Sequence, residues 1–306
     1  MKEFSSSWHR DGIKEAFTFK MVKKRTKLKS LSHGRPPTVK PIRSISSKAT
    51  RTLIRSHHTL EKRKAKAIAD GDEARAAALA REIQLQGGIE SYQHASLIGQ
   101  ANDRGGDSSK VLMEWLAPVI SELKDCVQEG CPLRMLEIGA LSTANACSKS
   151  KTFDVERIDL NSQSEGIKQQ DFMERPLPKD NTERFDIISL SLVLNYVPDA
   201  AGKGDMLLRT IQFLKKPIST KSLRDYFPSL FLVLPAPCVT NSRYMDEPKL
   251  EAIMESLGFV GVKKKRSTKL VYYLWRFASA PAKRTAFKKT EIRSGKTRNN
   301  FSIVLK

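Results

Sequence analysis

The chain has 306 residues, with 54 lysines and arginines against 33 aspartates and glutamates and a formal net charge of +21. That length suits one α/β core of roughly 200 residues with extensions. The four cysteines, Cys126, Cys131, Cys147 and Cys238, form no CxxC pair and have no histidine at a zinc spacing, so no metal site is expected. With no secretory leader and no apolar run near the roughly 18 residues of a membrane span, the reading is of free thiols in a reduced intracellular compartment without a membrane.

The charge is unevenly spread. Residues 1–66 hold 19 Lys/Arg against 4 Asp/Glu and residues 278–306 hold 8 against 1, so these ends carry +15 and +7 and the middle is left at −1. Two basic tails flanking a nearly neutral fold suit a polyanionic partner, because lysines and arginines gain by displacing counterions from phosphates. A solvated nuclear-import tail is the competing reading, and the two roles can coexist. Residues 1–50 mix Lys, Arg, Ser, Pro and Gly without a helical or strand period and read as a disordered basic arm. From Ser56 to Ala69 and Glu73 to Leu85 the composition turns to Ala, Lys, Arg, Glu and Leu, broken by Asp70-Gly71-Asp72. This predicts a helical hairpin over 51–86 with Asp72 as an N-cap. Its default role is packing, although Arg55 reaches a ligand carboxylate if the hairpin lids a pocket. Residues 87–110, GGIESYQHASLIGQANDRGGDSSK, are loop-like and lead into a helix over Val111–Val127.

The chain is organised around Arg134 to Thr143, RMLEIGALST. Met135, Leu136 and Ile138 make a short buried strand, and Gly139 ends it with a residue that turns without steric cost. Glu137 is hard to place in a plain core, whereas Gly139-Ala140-Leu141-Ser142 lets backbone amides approach a ligand at a helix start. A nucleotide-like cofactor fits that pair of features. A plain structural turn competes with it, since the full glycine fingerprint is missing. Phe153 to Ile158 is a second strand ending in Asp159, where a carboxylate takes both hydroxyls of a ribose. Ile167 to Phe172 ends in Asp171, an acid to receive an exocyclic amine, and Phe172, a ring to lie against a base. The connection before it is too short for a crossover helix, so this third strand is expected to be vestigial. Phe185 to Leu194, FDIISLSLVL, is the fourth strand, followed by Asn195-Tyr196-Val197-Pro198.

A helix over Asp205–Leu214 and a fifth strand over Leu230–Leu234 come next, then PAPCVTNSRYMD and a helix over Glu247–Leu257 stopped by Gly258. Phe259–Lys263 and Leu270–Phe277 read as a hairpin with Lys263-Lys264-Lys265-Arg266 at its tip. If the sixth strand runs parallel to the others, those cations border the edge where carboxyl ends carry a ligand.

Four stations in this order resemble motifs I to IV of the Rossmann-like S-adenosylmethionine methyltransferases. LEIGALST, ERIDLN, the QDF segment and FDIISLSLVLNYVP together resemble the fungal adenine-N1 methyltransferases that modify large-subunit 25S ribosomal RNA, over about Gly87 to Phe277. The resemblance implies a seven-stranded α/β methyltransferase domain over 87–277, between the helical hairpin and a basic C-terminal tail, 278–306. It implies an S-adenosyl-L-methionine site formed by Glu137, Gly139, Asp159, Asp171, Phe172 and Ser189, with Asn195 and Tyr196 holding the target base. It also makes Tyr92, Gln93 and Arg104 to Asp107 plausible cofactor or substrate contacts. The expected partner is ribosomal RNA of a pre-ribosomal large subunit, and the expected compartment the nucleolus within the nucleus. Metazoan relatives are implicated as S-adenosylmethionine sensors upstream of the TOR kinase, and sensing is the alternative function; strong basic arms speak against it. If both tails are accessory, a chain trimmed to residues 50–278 keeps the cofactor site.

Overall fold

Seven strands make one sheet: β1 (Leu133–Ile138), β2 (Phe153–Asp159), β3 (Lys168–Gln169), β4 (Ile187–Ser191), β5 (Ser229–Pro235), β6 (Phe259–Arg266) and β7 (Leu270–Phe277), in the order β3-β2-β1-β4-β5-β7-β6. This computed structural model describes residues 47–88, 90–91, 106–128, 132–162, 164–216, 223, 225–281 and 285–306. Nearly all of the expected N-terminal arm, together with Tyr92, Gln93, Arg104 and Gly105, lies outside the described residues. So does the side chain of Arg55.

Strands β1 to β5 pair in parallel, and β7 is antiparallel to both β5 and β6. Strand β6 therefore runs with β5, and the carboxyl ends of β1, β2, β4, β5 and β6 share one edge. The central strands are continuous apolar runs because helices cover both faces, and alternate residues enter opposite cores. Ile187, Phe231, Val233 and Leu274 join Leu112, Leu116 and Val119 of α3 (Ser109–Gln128) on one face. Ile188, Leu230, Leu232 and Trp275 join the buried residues of α5 (Ala200–Phe213) and α7 (Glu247–Ser256) on the other. Two four-residue helices, α4 (Ala146–Lys149) and α6 (Pro237–Thr240), lie in the loops after β1 and β5.

The hairpin of α1 (Ser47–Ala69) and α2 (Glu73–Leu85) forms, but α1 starts before the expected Ser56 and takes in Ser47–Thr50 of the expected disordered arm. Asp72 caps α2 by accepting from Arg75 N at 3.0 Å, and Leu60, Ala67, Leu79 and Ile83 make a small core between the helices. Asp199 and Asp246 cap α5 and α7 in the same way. The third strand is reduced to two residues. No helix among the described residues is long and apolar enough to cross a membrane, and no group of three or more His, Cys, Asp or Glu is placed to hold a metal.

Three expectations are corrected. The fourth strand stops at Ser191 rather than Leu194, because Leu192 takes a φ of 60° and turns the chain. Residues Lys263–Arg266 extend β6 and pair with β7 up to Val271, so the hairpin tip is Ser267–Lys269. Lys264 is paired there with Glu247 at 3.0 Å, and Lys265 with Glu114 at 3.0 Å.

The third correction concerns 278–306, which is no free tail over residues 285–306. Phe301, Ile303 and Leu305 are buried in the main core, Leu305 bridges Phe287, and Val304 N donates to Ala200 O at 2.9 Å. The period-2 apolar alternation in FSIVL overrides the local basic charge, as each such side chain gains roughly 1.5–3 kcal/mol on burial. A chain trimmed at residue 278 would leave that core open, so the tail is not accessory to the fold.

Candidate active site at the carboxyl edge

The site begins where β1 turns. Gly139 N and Ala140 N donate to Ile158 O of β2 at 2.8 and 3.1 Å, and Gly139 has a φ of +74°. A Cβ there would also lie 2.5 Å from Val193 Cγ2 in the loop after β4. Only glycine permits both the turn and the approach. One residue earlier, Glu137 lies beside Ser189 of β4 in register, and both are buried. Glu137 Oε1 accepts from Asn145 Nδ2 at 2.8 Å, whereas Oε2 is buried with no hydrogen-bond partner. Burial pushes the Glu137 carboxyl up to about 7, with Arg157 and the Asn145 bond pulling the other way.

Two further acids stand on the same edge. Asp159 ends β2 and accepts from Asn161 N at 2.9 Å, and Asp171, just past β3, accepts from Met173 N at 2.7 Å. Both carboxylates are thereby oriented by turns of their own backbone. Phe172 does not join them. Its ring is 2% exposed and packs on Phe213 of α5, with centroids 5.2 Å apart, so it is core rather than a face for a base.

The loop after β4 completes the edge. Leu192, in its left-handed turn, donates its N–H to Val233 O at 2.9 Å, and Tyr196 N donates to Val193 O at 2.8 Å. Asn195 Oδ1 is buried without a partner. Lys203 of α5, 3% exposed, supports this loop from beneath. Its Nζ donates to Val197 O at 2.5 Å and Asp199 O at 3.2 Å and lies 5.6 Å from the centre of the Phe301 ring. Burial pulls the Lys203 ammonium down to about 8, with Lys62 acting in the same direction.

Asp107, in the loop expected to fold over a cofactor, links two elements of the site instead. Its Oδ1 accepts from Ser109 N and Oγ at 2.9 and 2.6 Å, and its Oδ2 accepts from Ala146 N at 2.6 Å, so it ties α3 to α4. Ser108 Oγ lies 2.8 Å from Ser191 Oγ at the end of β4.

Glu137, Gly139, Asp159, Asp171, Ser189, Asn195 and Tyr196 are thus gathered along one edge by sheet topology. Asn145, Leu192 and Lys203 were not singled out from sequence. For Lys203 a signal exists, since it falls on the helical face of Met206, Leu207, Thr210 and Phe213. Nothing in residue type marks Asn145 or a left-handed leucine. A buried polar atom left unpaired costs roughly 1–3 kcal/mol, and two of them, Glu137 Oε2 and Asn195 Oδ1, suit a polar ligand that enters past a glycine turn.

Comparison with known proteins agrees with this geometry. The family described as 25S rRNA (adenine(2142)-N(1))-methyltransferase, Bmt2, matches residues 77–303. A Schizosaccharomyces pombe protein named 25S rRNA adenine-N(1) methyltransferase is 42% identical over 253 residues, covering 82% of this chain and 89% of its own length. A Saccharomyces cerevisiae protein named 25S rRNA (adenine(2142)-N(1))-methyltransferase is 40% identical over 227 residues; the match covers 73% of this chain and spans 62% of that protein. Among solved structures, the N-methyltransferase NodS of Bradyrhizobium japonicum aligns at a TM-score of 0.34 and 13% identity, over 54% of this chain and 98% of its own, a likeness too faint to bear on function. The family match takes in every site residue described above and most of the packed 285–306 segment, and the chain belongs to the Bmt2 family of 25S rRNA adenine-N1 methyltransferases.

Proposed function

We propose that the chain is an S-adenosylmethionine-dependent methyltransferase that methylates N1 of an adenosine in 25S ribosomal RNA. The observation that carries this reading is the family match over the whole carboxyl edge, at 42% identity to a relative whose name states the reaction. The residues on that edge suit the cofactor. In this reading Gly139 gives the backbone its close approach, Asp159 takes the ribose hydroxyls, Asp171 an exocyclic amine, and Glu137 with Ser189 a polar group reaching below the turn.

When bound, S-adenosylmethionine supplies the methyl group on a sulfonium that already carries its leaving group. The protein then contributes position and electrostatics. Adenine N1 has a free lone pair at neutral pH, so no side chain must first remove a proton. Asn195 Oδ1 is suited to accept from the exocyclic amine beside N1, and Tyr196 offers a ring and a hydroxyl to the base. Because N1 lies on the pairing edge, the target is unpaired or flipped during the reaction, at a cost of a few kcal/mol that stacking and basic contacts offset. Immature or protein-opened ribosomal RNA of the pre-ribosomal particle is therefore the favoured substrate. The basic residues of the N-terminal arm support residence in the nucleolus, where that RNA is made.

Purified protein with cofactor and a 25S ribosomal RNA fragment should yield 1-methyladenosine by mass spectrometry and a reverse-transcription stop at one adenosine. A product that co-elutes with N6-methyladenosine and permits read-through, formed without base-catalysed rearrangement, would overturn the N1 assignment. Cofactor binding without transfer to any RNA would favour sensing.

A further inference from the structure

The 285–306 segment is fastened to the loop that follows β5. Asn299 N donates to Asn241 O and Arg243 N to Asn299 O, each at 3.0 Å, and Ile292 N donates to Arg243 O at 2.9 Å. Asn299 Nδ2 reaches Pro237 O at 2.6 Å, and Arg293 spends its guanidinium on the carbonyls of Val239, Thr240 and Met245. The loop after β5 leaves the same sheet edge as the neighbouring loop with Asn195 and Tyr196. A second fastening, Val304 N to Ala200 O with Phe301 against Lys203, holds the segment beside that loop.

The segment, the loop after β5 and the start of α7 together carry a ridge of six cations, Arg243, Lys249, Lys288, Lys289, Lys296 and Arg298. Four of them are held by neutral groups. Arg243 donates to Asn300 Oδ1 at 2.7 Å and Gly295 O at 2.8 Å, and Arg298 to Ser294 O at 2.6 Å. Lys249 donates to Lys288 O at 3.3 Å, and Lys289 Nζ sits 4.6 Å from the centre of the Tyr244 ring. Neutral acceptors hold a charged group in place without cancelling its charge. Among the described residues, the ion pairs with carboxylates engage other cations, Lys64, Arg134, Lys168, Arg175, Lys215, Lys264 and Lys265, and Glu247 and Glu251 beside Lys249 on α7 are taken up by Lys264.

We propose that this ridge is a preformed clamp for the phosphates flanking the target nucleotide, which sets the register of the RNA strand over the site. The inference rests on the proposed action on RNA and adds where the strand lies. The ridge adjoins a loop of the carboxyl edge, and cations held by packed backbone pay less ordering entropy on binding a polyanion than those of a floating tail.

The test replaces the three exposed lysines, which make no buried contact. In Lys288→Gln/Lys289→Gln/Lys296→Gln, affinity for a single-stranded 25S ribosomal RNA fragment should fall at least about tenfold at moderate salt, and the log–log salt slope should flatten by about two units. Calorimetric affinity for S-adenosylmethionine should be unchanged. The control Lys149→Gln/Lys151→Gln/Lys179→Gln removes three exposed lysines from the opposite, amino edge and should leave the slope as it was. An unchanged slope in the ridge variant, an equal loss in the control, or a loss of cofactor affinity in the ridge variant overturns the proposal. Competition by polyglutamate as effective as RNA would assign the ridge to an acidic protein and also overturn it. If the unaltered protein shows no salt-dependent RNA affinity, the RNA reading itself fails.

Discussion

Glu137 stands inside an apolar strand with one oxygen bonded to Asn145 and the other unpartnered, and burial moves its titration to about 7. Its ordinary value is 4.5, so between these two values the folded chain binds the proton more tightly than the unfolded one. Stability of the cofactor-free protein from this group is highest at acid pH and declines as pH rises through that window, levelling above it. Glu137→Gln removes the titration. Relative to wild type it should gain roughly 1–3 kcal/mol between pH 5 and pH 8 by urea unfolding; a constant difference across that range would contradict the assignment. A second pair of variants separates the two halves of the site. Asp159→Ala should weaken S-adenosylmethionine binding in calorimetry at least tenfold, while Asn195→Ala should leave that affinity intact and lower single-turnover rate. Equal behaviour of the two would remove the division of roles. Glu137, Gly139 and Asp159 stand out in the sequence because an acid in an apolar run and a glycine at a strand end are anomalies of residue type, and the sheet brings the three to one edge. Phe172 does not, since a ring after an acid reads alike whether it meets a ligand or, as here, Phe213 of a helix further along the chain.

At the scale of elements, α5 shows how a helix serves the site without touching it. Its inward face carries Lys203, Met206, Leu207, Thr210 and Phe213, and Gly204 lies against Val304, where an added Cβ would stand 1.9 Å from the carbonyl oxygen. Alanine in an exposed helix position is favoured over glycine by up to about 1 kcal/mol. Here the sign should reverse, with Gly204→Ala lowering the calorimetric Tm by several degrees, for a loss of about 2 kcal/mol or more. A raised Tm would show that the 285–306 segment is not packed as described. Strands and helices with long apolar runs were readable to within a few residues. The end of β4 was not, because nothing in SLVLN announces a left-handed leucine. Nor was the length of β6, where KKKR resembles a turn but forms an edge strand whose lysines discourage pairing with another sheet.

Across the whole molecule, counting strands sufficed for the seven-stranded sheet, and charge by segment located a near-neutral core. The 278–306 segment was misread because net charge sums over residues while burial depends on alternation, and three buried apolar side chains, Phe301, Ile303 and Leu305, outweigh the basic composition around them. That packing also orders events during synthesis. Phe301, Ile303 and Leu305 are translated after the other residues of that core, so α5 leaves the ribosome with Gly204 and Lys203 still uncovered. Closure of the domain therefore follows translation of the ridge, and a message broken just upstream of codon 301 yields a chain that carries the ridge cations yet exposes core surface to proteolysis.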